Sequence, residues 1–188
     1  MSNISRYILL CLMAPQYFTA SAQKSDWAMK KDRITTPWSE QVDLSRPLPE
    51  YPRPQLVREN WQNLNGLWNY RITAKDESMP ASYGGKILVP FAIESALSGV
   101  GKTVGKDSVL WYNTKFTLPR AMKGKKILLH FGAVDWKAEV FLNGQSIGFH
   151  EGGYDPFSID ISPFLKKGEQ DLVVSAWDPT DQGPQPRG

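Results

Sequence analysis

From Val109 to Phe116 the residues sort into two faces with the period of an extended chain. Val109, Trp111, Asn113 and Lys115 fall on one side, Leu110, Tyr112, Thr114 and Phe116 on the other. One face is apolar and the other becomes mixed late in the run, which predicts a strand packed against a core. Seven more short segments share this character: Leu67–Ile72, Lys86–Val89, Lys125–Gly132, Trp136–Asn143, Gln145–Glu151, Phe157–Ile161 and Gln170–Asp178. Each is β-branched or aromatic in places and bounded by Gly, Pro, Asn or Asp, the residues that end strands in turns. Asn143-Gly144 predicts a hairpin, because both residues tolerate the positive φ of a type I′ turn and the flanking Val140-Phe141-Leu142 and Ile147-Gly148-Phe149 can pair. The one competing helical stretch is Gln55–Asn63, before the first strand. Eight strands with little helix between them predict an all-β, antiparallel sandwich, most simply a jelly roll.

Composition agrees with that pattern. The 188 residues include 12% aromatics, 7 Trp, 15 Gly and 14 Pro, a mixture suited to short strands and many turns. The length supports one ordinary core and excludes a complete (β/α)8 barrel, which typically takes about 250 residues. Net charge is only +3, from 22 Lys+Arg against 19 Asp+Glu, with no polybasic block. A nucleic-acid or anionic-membrane partner is therefore not expected.

The ends read differently. Arg6, the apolar run Tyr7–Ala14 and the small-residue site Ala20-Ser21-Ala22 have the order of a secretory signal peptide over residues 1–22. Pro15 and Gln16 interrupt the run far short of the roughly 20 residues a bilayer span needs. Cleavage after Ala22 would remove the single cysteine, Cys11, and leave a net charge of +2 without disulfide or thiol chemistry. The expected location is periplasmic or secreted. Residues 23–54 are polar and Pro-rich and predict an extended leader over the domain, with Trp27 and Trp38 as anchoring points. The domain itself occupies 55–188.

Several motifs invite a chemistry that their setting does not support. Ala96–Thr103 fits a relaxed phosphate-binding loop, but such a loop needs a helix after it to present backbone N–H groups, and here a strand follows. Gly144-Gln145-Ser146-Ile147-Gly148 has the spacing of a serine-hydrolase elbow. Ser146 falls in the hairpin, however, and the only later histidine, His150, lies four residues along the same strand. Two histidines on separate strands and no mature cysteine give no ligand spacing for zinc. His130 is expected to pack partly buried with its nitrogens bonded. No metal and no cofactor are expected.

Paired carboxylates could cleave a glycosidic bond at roughly 5 to 9.5 Å separation. Asp135, Glu139, Glu151, Asp155, Asp178 and Asp181 are all available, and their spacing selects no pair. Trp111, Tyr112, Trp136, Tyr154 and Trp177 could stack on sugar rings, but most aromatics of a small sandwich fill its core.

The ordered series of motifs resembles the opening of glycoside hydrolase family 2 enzymes. It runs from Arg53-Pro54-Gln55-Leu56 through Trp61–Trp68, Val89-Pro90-Phe91, Glu94-Ser95 and Ser98-Gly99 to Leu110-Trp111-Tyr112. It continues with Phe141–Gly144, His150–Tyr154, Pro156-Phe157, Trp177–Asp181 and Pro186-Arg187-Gly188, covering residues 50 to 188. The resemblance implies an N-terminal jelly-roll sugar-binding domain of a β-galactosidase or β-glucuronidase type of chain. An immunoglobulin-like domain and a catalytic (β/α)8 barrel would follow it. The family's acid/base and nucleophile glutamates belong to the barrel, so no carboxylate here takes a catalytic role.

The implied partners are carbohydrate and those further domains. Candidate substrate-side residues are His150, Glu151, Tyr154, Asp178 and Asp181. The family pattern would also carry another sandwich strand after Pro186-Arg187-Gly188, so the sandwich is expected to stop short of closure, with an unpaired sheet edge and a partly uncovered core. Two other roles fit the same features: a free-standing carbohydrate-binding module and a purely structural scaffold.

Overall fold

The computed structural model describes residues 27–49 and 58–179. It contains eight strands, in chain order β1 (Gly66–Ala74), β2 (Gly85–Val89), β3 (Ser108–Thr117), β4 (Leu128–Phe131), β5 (Lys137–Leu142), β6 (Gln145–Glu151), β7 (Phe157–Asp160) and β8 (Glu169–Trp177). Each lies where the sequence pattern placed it, with ends shifted by a few residues. Among the described residues three short 3₁₀ turns accompany them, at Pro37–Gln41, Arg120–Met122 and Ser162–Phe164. Residues 58–63 of the expected helix are not helical, and 55–57 lie outside the described residues. The Asn63 side chain there accepts from the Asn65 N–H at 2.8 Å, a local turn that competes with helix formation.

All pairings are antiparallel, as the jelly-roll expectation required. One sheet has six strands in the order β2-β1-β3-β8-β5-β6, and the other has two, β4-β7. The core lies between them. Trp68 of β1, Leu110 and Phe116 of β3, Leu172 and Val174 of β8, and Val140 and Leu142 of β5 point inward to meet Leu129 of β4. Each such side chain fully removed from water contributes about 1.5–3 kcal/mol.

The two faces of β3 separate as its sequence alternation requires. Leu110 and Phe116 join this core, whereas Val109 and Trp111 face outward and pack with Val173, Phe141 and Tyr83 in a second cluster. There the Trp111 indole N–H donates to Thr73 Oγ1 at 2.9 Å.

The β5–β6 hairpin turns through Asn143 (φ 54°) and Gly144 (φ 83°), both left-handed as a type I′ turn demands. Asn143 is also tied into the body of the domain. Its side-chain amide donates to Phe164 O and to Gln170 Oε1, each at 3.0 Å, and its Oδ1 accepts from the Asp171 N–H at 3.0 Å.

Of the two leader tryptophans only Trp27 is an anchor. Its indole N–H donates to Ser98 O at 2.8 Å, and Lys30 N–H donates to Ala96 O at 3.1 Å. Gly99 makes this seat possible: its φ is +80°, and a Cβ there would stand 2.1 Å from Trp27 Nε1. Trp38, on the first 3₁₀ turn, is 69% exposed.

Candidate functional site

The phosphate-loop and hydrolase motifs lack the geometry of either chemistry. Ala96–Thr103 runs to β3 without a helix, and its carbonyls accept from Trp27 and Lys30 of the leader. Ser146 is on β6, and its hydroxyl donates to Glu139 Oε1 at 2.6 Å. Among the described residues no group of three or more His, Cys, Asp or Glu comes together as a metal-ligand set.

The described substrate-side candidates lie at one end of the large sheet, where Lys137 stands in register with both Glu151 and Trp177, but they do not share one face. His150 and Glu151 are neighbours on β6, so a strand sends them to opposite faces. His150 turns inward and stacks on Phe157 with ring centroids 4.3 Å apart. Its Nε2 is buried without a hydrogen-bond partner. Glu151 turns outward and pairs with Lys137 at 2.8 Å. Tyr154 is exposed in the loop between β6 and β7, Asp178 follows β8, and Asp181 lies outside the described residues. Of the five aromatics that could stack on sugars, Trp111 is buried, Tyr112, Trp136 and Trp177 are half-buried, and only Tyr154 is exposed.

What the fold does assemble is a slot between the two sheets, with a volume of about 940 Å³. Its floor is the inner face of the large sheet, including Trp68, Leu110, Phe116, Leu172 and Val174. Its opposite wall is β4, whose only strand partner among the described residues is β7. Phe157 of β7 stacks on Phe131 of β4 at 4.6 Å, so the rings of His150, Phe157 and Phe131 form a ladder from β6 to β4 that joins the sheets on one side. On the other side, toward β1 and β2, Trp61 just ahead of β1 stacks on His130 of β4, and the loop after Val89 lines the slot.

The slot lining carries charges of both signs, Arg58 and Glu94 among them, and Lys126 is paired with Asp160 at 3.3 Å. Lys125 and Lys126 precede β4, and Asp135 follows it; all three line the slot, as does Asp178. The Asp135 carboxylate lies against Gly153, where a Cβ would come within 2.4 Å of Oδ1. Partial burial, reinforced by the charge of Asp178, holds the Asp135 carboxyl above its ordinary pKa. Tyr112, also in the lining, has its hydroxyl pKa pushed well up by burial, with Glu94 adding to the effect.

His130 departs from its expected packing. It is exposed on β4, with only Nδ1 bonded, to Ser158 Oγ at 2.6 Å. Its ring stacks on Trp61 at 5.5 Å, and Arg58 stands over the other ring of that pair, Trp61, at 5.6 Å. Partial burial and then the Arg58 charge lower its pKa. His130 alternates with the buried Leu129 along β4 and sits at the rim of the slot beside Trp61.

Slot residues Trp61, His130 and Asp135 were not among the substrate-side candidates. Trp61 did stand in the Trp61–Trp68 motif, and Asp135 among the available carboxylates. Nothing in a linear pattern shows that residues 61, 130 and 135 line one space.

The eight antiparallel strands and their interior slot define the class: an all-β sandwich domain. The family model for the sugar-binding domain of glycosyl hydrolases family 2 matches residues 87–182, just over half of the chain, and the chain belongs to that family. A β-galactosidase of Thermoanaerobacter pseudethanolicus is 39% identical over 67 residues, covering 36% of this chain and 9% of that protein. The β-glucuronidase of Canis lupus familiaris is 31% identical over 134 residues, covering 63% of this chain and 20% of that one. Among solved structures, the β-glucuronidase of Lactobacillus rhamnosus superposes with a TM-score of 0.53 at 31% identity, over 62% of this chain and 21% of its own. The match therefore spans about a fifth or less of the length of these relatives.

Proposed function

We propose that this chain is the N-terminal sugar-binding and scaffold domain of an exported glycoside hydrolase acting on terminal β-linked sugars. The observation that carries the reading is the family match over residues 87–182, together with relatives named β-galactosidase and β-glucuronidase. In this reading residues 1–22 direct export to the periplasm or beyond, residues 23–54 form a leader, and the sandwich packs beside a catalytic barrel. Hydrolysis proceeds by retaining double displacement, with both working carboxylates supplied by that barrel. The Asp135 and Asp178 carboxylates then shape a domain boundary and take no covalent part.

Chromogenic β-glucuronide and β-galactoside assays on the purified 188-residue chain test the division of labour. No turnover is expected, and turnover above background that survives repurification would overturn it. Calorimetric titration with oligosaccharides tests the binding half of the role. Tight binding by the chain alone would favour a free-standing carbohydrate-binding module.

A further inference from the structure

The loop between β2 and β3 is wound around Ser98, which is wholly buried. Its hydroxyl donates toward the Ile93 and Ser95 carbonyls, at 2.9 and 2.8 Å, and accepts from the Val100 N–H at 3.0 Å. Ile93 and Val100 are thereby carried into the core. The Ser98 carbonyl accepts from the Leu88 N–H at 3.0 Å. Leu88 is in register with Leu67 of β1, and β2 ends the order of the six-stranded sheet, so this bond caps the side of β2 turned away from β1. Capping matters because a bare end strand is a template for pairing with other chains. On its outer side the same loop offers three carbonyls to the leader, whose residues 27–33 form neither helix nor strand. Ser98 O takes the Trp27 indole N–H at 2.8 Å, Ala96 O takes the Lys30 backbone N–H at 3.1 Å, and Gly101 O takes the Arg33 guanidinium. The contacts recur at every third leader residue. Two left-handed glycines make room for them: a Cβ at Gly99 would collide with the Trp27 indole, and one at Gly101 would stand 3.1 Å from Lys30 Cγ and 3.3 Å from Arg33 Nε.

We propose that the carbonyls of Ala96, Ser98 and Gly101 form a peptide-recognition site, filled in this chain by residues 27–33, and that its filling latches the β2–β3 loop over the β2 edge. The recognised pattern is Trp-x-x-Lys-x-x-Arg. Trp27 and Arg33 supply side-chain donors, while Lys30 supplies its backbone N–H and lays its stem on Gly101. A carbonyl has two lone pairs, and at Ser98 one serves the sheet edge and the other the strap, so seat and edge meet at a single atom. Every group on the seat is an acceptor, which selects a donor-rich segment and disfavours an acidic one. The leader is then a working clasp of the domain. This inference goes beyond the glycosidase reading and does not depend on it.

The test compares the full chain with its Trp27→Ala/Arg33→Ala double variant. Amide hydrogen exchange at Leu88, Gly99 and Gly101 is the readout, because their N–H groups donate to Ser98 O, Ala96 O and Ile93 O. Unseating the strap is expected to speed exchange at these three at least about tenfold while the amides of β3 and β8 stay slow, the signature of a local opening. An acetylated synthetic peptide of residues 27–35, added to the double variant, is expected to restore slow exchange. The same peptide with Ala in place of its Trp and Arg is expected to restore nothing. Trp27→Phe keeps the ring and removes only the N–H, and should speed exchange at Leu88 and Gly99 by about three- to tenfold, the weight of one hydrogen bond.

Unchanged exchange in the double variant would overturn the proposal, since the Ser98 hydroxyl network would then hold the loop without a strap. Faster exchange that millimolar peptide fails to reverse would also overturn it, because the seat would not recognise its segment apart from the chain. Should the double variant loosen β3 and β8 as well, Trp27→Phe decides: local acceleration at Leu88 and Gly99 supports the latch, and no change there overturns it.

Discussion

Strands β8 and β4 face each other across the sandwich, and both are rich in aliphatic residues, yet their surroundings differ. β8 is flanked by β3 and β5 along most of its length, and Leu172, Val173 and Val174 are nearly or wholly buried. Among the described residues β4 pairs only with β7; Leu129 is buried, but its neighbour Leu128 is 46% exposed and His130 is exposed. The difference shows that a run of apolar residues sets an inclination to be buried, while the number of neighbouring strands decides how far that inclination is met. The slot is where it is met least.

Leucine truncation makes the comparison quantitative. Leu172→Ala removes a side chain with no exposure from a strand flanked on both sides by β3 and β5, and is expected to cost about 3–4 kcal/mol by urea unfolding. Leu129→Ala, beside the slot, should cost about 2 kcal/mol, because part of its surroundings is already open, and Leu128→Ala should lie near zero. Equal costs for Leu172 and Leu129 would break the contrast between the two sheets.

A smaller effect is expected where the large sheet is fastened by polar groups. Gln170 is 1% exposed; its amide donates to Lys166 O and Gly168 O, each at 2.8 Å, and its Oε1 accepts from the Lys166 N–H and from Asn143 Nδ2, each at 3.0 Å. Gln170→Leu keeps the bulk and orphans those groups, at an expected cost of about 2 kcal/mol in the same measurement. A neutral result would mean that water replaces the network and that the β8 end is more open than its burial suggests.

The smallest effect belongs to the slot. With its carboxyl held above the ordinary value in the folded chain, Asp135 binds protons more readily folded than unfolded. Its ionised form therefore opposes folding. That penalty is absent below the unfolded value, grows as pH rises toward the folded one, and is constant above it. Asp135→Asn should accordingly raise Tm slightly at pH 7, with the gain fading as pH falls below the unfolded Asp range. A drop in Tm at neutral pH would mean that the carboxylate is held by favourable contacts and is no part of an open slot end.

Most of the fold was legible from the chain alone. Alternation and turn residues marked all eight strands, and Asn143-Gly144 marked the hairpin, because both depend on local φ/ψ preference and on a two-residue period. The Gln55–Asn63 helix failed over residues 58–63, where local turn chemistry at Asn63 and the stacking of Trp61 on His130 hold the chain outside helical geometry. His130 was misjudged for a related reason: facing a solvent-open side depends on which strands flank β4. The substrate-side candidates are neighbouring motif residues, and strand geometry sends His150 and Glu151 to opposite faces.

Sequence by itself determined the class of fold, the antiparallel strand set and the family, since each is encoded in patterns a few residues long or in the order of short motifs. Only the tertiary structure decided that six strands form one sheet and two the other, that Trp27 and not Trp38 anchors the leader, and that residues 61, 130 and 135 share one slot. Those outcomes depend on which surfaces meet across dozens of residues, and a space between two sheets belongs to neither strand that borders it.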